Sequence, residues 1–271
     1  MSWVTCNRAK NDTLNNLKAK VVANFKDHFS EHAAIYRSAR PHYPNALFEW
    51  LAGRAREKKL AWDCGCGNGQ ASVALAAYFR QVVATDPSAA QIANAEPCEN
   101  VEYRVEPGER TTLADNSVDL VTVAQALHWF DLNQFYSEVK RVLKPHGLIA
   151  VWTYADCSIS PQIDRVKDHL YVDVLGNYWP PERRLVESGY VTLPFPFMEL
   201  SNLPKFSMIV HWNAEEFLNY LRSWSATQRY LKTHHSDPVE MIRSDLLAAW
   251  ENPQEQREVS WGLSLRVVSQ C

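Results

Sequence analysis

The stretch Asp63-Cys64-Gly65-Cys66-Gly67-Asn68-Gly69-Gln70, set between the apolar run Leu60-Ala61-Trp62 and an apolar segment of helical spacing, constrains this chain more than any other feature. Alternate glycines allow tight backbone turns and let a ligand approach main-chain amides that side chains would otherwise cover. A dinucleotide loop spaced GxGxxG would need glycine at position 70, which is Gln70, and no lysine follows to make a GxxxxGK phosphate loop. Asp86 ends the next apolar run 21 positions after Gly65. A carboxylate there lies beside the glycine turn at the carboxyl edge of a parallel sheet and accepts both hydroxyls of a ribose; it also suits a helix N-cap before Pro87, and the two readings coexist. Glycine turn, ribose acid and missing phosphate signature together describe an adenosine ligand without a polyphosphate.

The rest of the chain supplies the frame for such a loop. Helical spacing is clearest from Pro44 to Arg56, where Leu47, Trp50 and Leu51 share a face. Strands are predicted at Leu60–Asp63, Val82–Asp86, Val101–Val105, Val118–Ala124 and Leu148–Tyr154, with helices at Gly69–Arg80, Ala89–Ala95 and Leu132–Leu143 between them. Alternation of this kind places parallel strands in one sheet with helices on both faces, so the fold class is α/β and doubly wound. After Tyr154 the alternation lapses. Helices are expected at Pro161–Leu175, Pro181–Ser188, Ala214–Leu231 and Pro238–Trp250, and a period-two run, Val259, Trp261, Leu263, Leu265 and Val267, reads as one strand returning to the sheet. The organisation is therefore a helical lead-in over 1–56 that doubles as a cofactor lid, a binding core over 57–156, a helical insertion and substrate cap with one sheet strand over 157–250, and a returning strand within 251–271.

Composition narrows the function classes. With 28 basic and 31 acidic residues the chain carries a net charge of -3, which gives no general attraction to nucleic acid or anionic membrane. The longest apolar run, Val73 to Phe79, is far short of the roughly 20 residues needed to span a bilayer. The polar start of the chain carries no secretion signal, and a cytoplasmic location follows. Six cysteines without a CxxC pair predict neither disulfides nor structural zinc; Cys64 and Cys66 suit a tight loop by their small size. His234-His235 beside Asp237 reads as a solvated loop rather than a metal site. Five of the ten tryptophans fall late, at positions 179, 212, 224, 250 and 261, and either wall a pocket or pack a core.

Four motifs in order now carry a resemblance. They are Ala34-Ile35-Tyr36-Arg37-Ser38-Ala39-Arg40-Pro41-His42-Tyr43-Pro44, the glycine loop from Asp63 to Gln70, Ala124-Gln125-Ala126-Leu127-His128-Trp129-Phe130-Asp131, and Val139-Lys140-Arg141-Val142-Leu143-Lys144-Pro145-His146-Gly147. From about Phe29 to Tyr154 the chain resembles the class I S-adenosylmethionine-dependent methyltransferases, most closely the small-molecule group that includes trans-aconitate methyltransferase. It departs at His146, where the family usually has glycine, and at Glu106-Pro107-Gly108-Glu109, where small residues commonly precede the acid. The resemblance implies a seven-stranded, mostly parallel sheet, S-adenosyl-L-methionine as cofactor and a small-molecule methyl acceptor. It places Asp63, Gly65, Gly67 and Gln70 at the methionine end of the cofactor, Asp86 at the ribose, Pro87 and Ser88 beside the adenine, and Gly108 and Glu109 facing the adenine amino group. Gln125 and His128 approach the sulfonium. Tyr36 and Arg40 fold over the cofactor, or pair on a helix surface.

Methyl transfer from a sulfonium is an in-line displacement that disperses positive charge, so alignment and exclusion of water are the main requirements. A carboxylate acceptor is already ionised near neutral pH and needs cationic partners, for which Arg37, Arg222 and Arg229 are candidates. A phenol or ring nitrogen needs a proton acceptor, and His128 is the candidate catalytic residue, unless it only lines the pocket beside Trp129 and Phe130. Trp129 and Trp224 are candidate substrate walls. No Asn/Asp-Pro-Pro-Tyr/Phe run follows the fourth strand, which argues against a nucleic-acid enzyme. A nicotinamide-dependent oxidoreductase and a non-catalytic cofactor-binding protein are the competing classes; cofactor preference and turnover separate them.

Overall fold

The computed structural model describes residues 41–269, so Tyr36, Arg37 and Arg40 lie outside the described residues. Six strands form the main sheet in the order β3-β2-β1-β4-β5-β8, where β1 is Leu60–Cys64, β2 Gln81–Asp86, β3 Val101–Val105, β4 Val118–Ala124, β5 Leu143–Thr153 and β8 Ser264–Ser269. The first five are parallel and β8 runs antiparallel to β5. Because the chain leaves β1 for β2 on one side and returns to β4 on the other, the loops after β1 and β4 part at a crevice, the usual ligand position in such sheets.

Both faces of the sheet are covered. Ala61, Val82, Leu120 and Trp152 point to one side, where α1 (Asn45–Arg54) and α2 (Gln70–Ala76) bury Leu47, Phe48, Leu51 and Leu75. Trp62, Val83, Val121 and Val151 point to the other, where α4 (Leu132–Val142) buries Phe135 and Val139. The short α3 (Ala89–Ala93) follows β2. Local chemistry sets the ends of these helices. The Asp131 side chain accepts from the backbone of Asn133 and Gln134, which starts α4, and Ser88 accepts from Gln91 N to start α3. β5 begins earlier than expected, at Leu143, and includes the Lys144-Pro145-His146-Gly147 turn. His146 adopts φ 64°, a left-handed conformation, which gives the physical reason for glycine at this position in the family.

The segment after β5 folds on a core of its own. Its helices are α5 (Pro161–Asp168), which runs on as one π-helical stretch, His169–Val174, then α6 (Arg183–Glu187), α7 (Ala214–Arg222), α8 (Ser225–His234) and α9 (Arg243–Trp250). Phe217, Leu221, Trp224, Trp250 and Trp261 are buried together here, with Trp179 and Trp212 packed against them, so all five late tryptophans share one cluster.

Three expectations are corrected. The single helix expected over Ala214–Leu231 is two. Trp224 takes an extended conformation, and at the break the side chains of Ser223, Thr227 and Gln228 donate to the carbonyls of Tyr220, Leu221 and Arg222, the first two of which also accept from the backbone of Ser223 and Trp224. The period-two run after Glu258 is also two strands: β7 (Arg257–Gly262) pairs with β6 (Ser207–Trp212) in a separate two-stranded sheet, and only β8 joins the main sheet. Among the described residues the main sheet therefore has six strands rather than seven, since β6, the strand expected to complete it, pairs elsewhere. No helix of the described residues is long and apolar enough to cross a membrane.

Candidate active site

The glycine turn leaves β1 with Gly65, Gly67 and Gly69 all at positive φ, 68°, 55° and 87°. The surroundings of the three differ. A Cβ at Gly65 would lie 2.6 Å from the Ala126 Cβ, so this glycine lets the loop after β4 close on the turn; one at Gly69 would meet the Tyr103 ring and hydroxyl. Around Gly67 nothing among the described residues lies within 4 Å of such a Cβ. Asp86 fastens the turn to β2: its Oδ2 accepts from Gly67 N at 2.9 Å and its Oδ1 from Ser88 N at 2.9 Å. An adenosine ligand with a zwitterionic methionine tail fits a turn whose open face is main chain and whose neighbour is a carboxylate.

Asp63 lies beneath the turn and has no exposed surface. Ser72 Oγ donates to its Oδ2 at 2.6 Å and Thr122 Oγ1 to its Oδ1 at 2.9 Å, and burial raises its pKa to about 6. It braces β1 against α2 and β4. Gln70 opens α2 directly after Gly69. Ser88 is buried and caps α3 behind Pro87, while Gly108 packs so closely on Cys64 and Phe130 that a side chain there would clash. The Glu109 Oε1 accepts from Asp131 N at 2.9 Å, tying the loop after β3 to the start of α4.

Past β4 the chain makes a sharp turn. Gln125 adopts φ 56°, its Nε2 donates to Tyr154 O at 2.8 Å, and its Oε1 accepts from the Thr153 hydroxyl. A short 3-10 turn, Leu127–Trp129, then presents His128, whose Nδ1 lies 2.6 Å from the Tyr190 hydroxyl. Its ring centroid is 4.7 Å from that of Trp129 and 5.7 Å from that of Tyr190. Burial, helped by the charge of Arg183, lowers the His128 pKa to about 4, so the imidazole is neutral at physiological pH. Tyr190 is buried, which pushes its phenol above the usual range.

Arg183 is the residue that sequence reasoning missed. Its Nη2 donates to Ala155 O at 2.5 Å, just past β5, and its Nε to the Tyr171 hydroxyl at 2.7 Å. The guanidinium lies 4.8 Å from the Trp179 ring centroid, while Glu187 stands 3.8 Å from Nε. Stacking and two hydrogen bonds hold this cation in place with the side chain 17% exposed. Trp224 joins it indirectly, by edge contact with Tyr171 and a tilted contact with Trp179. The other arginines are placed differently. Arg222 donates to Asp237 at 2.6 Å, Glu240 at 2.5 Å and Asn219 at 3.0 Å, so its charge ties α7 to the following turn instead of awaiting an acid. Arg229 reaches the Tyr178 carbonyl at 3.4 Å, and His234 of the His-His pair contacts the Tyr178 hydroxyl.

The comparisons with known proteins agree with this geometry. A family model described as a methyltransferase domain matches residues 62–151, from β1 to β5. A Dictyostelium discoideum protein described as a methyltransferase is 37% identical over 231 residues, covering 84% of this chain and 88% of its own length. The chain belongs to the class I S-adenosylmethionine-dependent methyltransferases. A solved type II methyltransferase structure from Anaeromyxobacter dehalogenans superposes on this methyltransferase with a TM-score of 0.81 at 44% identity, over 85% of this chain and 97% of that one. The S-adenosylmethionine-dependent methyltransferase CRG1 of Saccharomyces cerevisiae is 31% identical over 58% of this chain and 59% of its own length. The family's methyl donor is S-adenosylmethionine, and the matched span contains the glycine turn, Asp86 and the loop after β4.

Proposed function

We propose that this methyltransferase acts on a small organic acid, binding the donor with Gly65, Gly67, Gln70, Asp86, Ser88 and Glu109 and holding a carboxylate of the acceptor with Arg183. The observation that carries the reading is the guanidinium fixed between Ala155 O, the Tyr171 hydroxyl and the Trp179 ring, close enough to His128 to depress its pKa. A planar, pre-oriented guanidinium in a partly dry site recognises a carboxylate better than a mobile surface cation does. Among the described residues its fork is engaged at Nε, by the Tyr171 hydroxyl and Glu187, and at Nη2, by Ala155 O, which leaves Nη1 for a ligand. Trp129, Trp179 and Trp224 supply the aromatic surroundings of a small-molecule site.

If the carboxylate itself is methylated, it is already ionised at neutral pH, so alignment with the methyl carbon is enough and no base is needed. A phenol or ring nitrogen of the acid is the second reading, favoured by the neutral imidazole of His128 beside the same arginine. Calorimetric titration with S-adenosylhomocysteine, with NADH in parallel, tests the donor site: micromolar binding of the thioether alone is expected, and binding of NADH alone would reject the assignment. Methyl uptake by carboxylic acids, set against uptake by their amides, tests the acceptor class. Equal turnover of acids and amides would discard the role given to Arg183.

A further inference from the structure

The glycine turn is held from a second side, by β3. Tyr103 stands opposite Ala84 in the β2–β3 register and shares a face of β3 with Val101, which packs on the α1 and α2 side of the sheet. Its ring lies against Gly69: a Cβ there would come within 2.9 Å of the ring Cε1 and Cζ and closer still to the hydroxyl. The hydroxyl donates to Glu96 O at 2.7 Å, and Glu96 N donates to Asn68 O, inside the turn, at 3.1 Å. Four residues on, the Asn100 Nδ2 donates to Ala76 O at 2.9 Å and to Phe79 O at 3.0 Å, at and just past the far end of α2. Residues 96–100 thus form a strap between the two ends of α2. Its Asn100 end is fixed further by Val82 N, which donates to Asn100 O at 2.9 Å. At the other end, among the described residues, Glu96 is bonded to Tyr103 and Asn68 alone.

The places where the two anchors meet the turn matter for a ligand. Three glycines open many backbone conformations to this segment, so its shape depends on bonds from outside it. Asp86 fixes Gly67 N and the strap fixes Asn68 O, one on each side of the Gly67–Asn68 peptide. A turn already held in shape costs less to order on binding than one the ligand must order for itself.

We propose that Tyr103 is a positioning residue for the methyl donor: by holding Glu96 it pins Asn68 and keeps the glycine turn in its binding shape before the donor arrives. It acts through the turn and not by contact with the ligand. The inference rests on the reading above, that this turn binds the donor, and it extends the donor site to a segment with no motif of its own, the strap over 96–100. It also gives the third glycine of the turn a definite task, since only a residue without a side chain at position 69 lets the Tyr103 ring reach Glu96.

The test uses Tyr103→Phe, which keeps the ring against Gly69 and removes only the hydroxyl. Calorimetric titration with S-adenosylhomocysteine, well below the unfolding midpoint of each protein, should show affinity weakened by more than about twofold and up to about tenfold, the range for one lost hydrogen bond. Amide hydrogen exchange at Glu96, followed by NMR, should quicken in the unliganded variant and slow again when the thioether is bound, because the ligand then orders the turn itself. A residue that only stabilises the fold would lower the midpoint of urea unfolding and leave the affinity where it was. Affinity within about twofold of wild type, or Glu96 exchange at one rate in both unliganded proteins, would overturn the proposal. Wild-type protein that fails to bind the thioether would reject the donor reading beneath it, a result distinct from wild-type binding that Tyr103→Phe leaves unmoved.

Discussion

Asp86 and Gly67, 19 positions apart, are joined by a 2.9 Å hydrogen bond from the Gly67 amide to a carboxylate oxygen of Asp86. The acid that is expected to grip the ribose thus also sets the shape of the turn that borders the methionine end. One side chain shapes the turn and, in the proposed donor site, grips the ribose, so its loss should be felt at both.

Asp86→Ala removes charge-assisted bonds to two backbone amides and to the ribose, and donor binding should weaken by about 1 to 3 kcal/mol. Titration with S-adenosylhomocysteine, at a temperature where circular dichroism shows the variant folded, measures it. Unchanged affinity would remove Asp86 from the site.

Gly67→Ala and Gly69→Ala should separate folding from binding. Both place alanine at positive φ, which costs on the order of 1 kcal/mol or more. At Gly69 the new methyl also collides with Tyr103, whereas at Gly67 it meets no atom of the described residues and enters the proposed donor site. Gly69→Ala should therefore lower the midpoint of urea unfolding more, and Gly67→Ala should lose more affinity for S-adenosylhomocysteine than its stability loss accounts for.

Arg183→Met keeps the bulk of the side chain and removes the cation. Donor affinity should stay within twofold while the KM for an acidic acceptor rises at least tenfold, and the pKa of His128 should move up once Arg183 no longer opposes its protonation. Proton NMR titration of His128 checks the last point without any acceptor. Arg222→Met, by contrast, should cost roughly 1 kcal/mol of stability and leave KM unchanged, because its partners are Asp237 and Glu240.

Asp63 makes a pH prediction. Its folded pKa, about 6, lies above the ordinary value of 3.8. Between these values the folded state binds more protons than the unfolded one, so this group's contribution to stability is full below about pH 4 and is lost as the pH rises through about 6. Asp63→Asn should flatten that part of the stability profile. Unfolding midpoints from pH 4 to 7 for both proteins would show it, and parallel profiles would place the titration elsewhere.

The first five strands of the main sheet were legible because strands covered on both faces read as short apolar runs, such as Val82 to Thr85, punctuated by turns. The glycine turn and the acid that anchors it were legible because glycines at positive φ and an acid at a strand end leave marks in sequence. The cap left fewer. Ser223-Trp224 breaks a helical pattern without glycine or proline, and the period-two run from Val259 to Val267 gives no sign that its halves join different sheets, since both halves bury one face. Arg183 follows Pro180-Pro181-Glu182 in a segment without a recognisable motif; only the folded chain brings it to Ala155 and His128.

Between β7 and β8 stands the single residue Leu263, whose amide donates to Phe206 O at 2.9 Å. One nearly continuous span of chain thus serves as the keel of both the insertion and the main sheet. This joint lies next to a strand locked to β5 along six register pairs, and Arg266 of the same strand binds Tyr190 O, Leu193 O and Glu199 of the insertion. The insertion and the sheet therefore share one stretch of backbone, so a shift of β7 is passed through Leu263 to β8 and from there to β5.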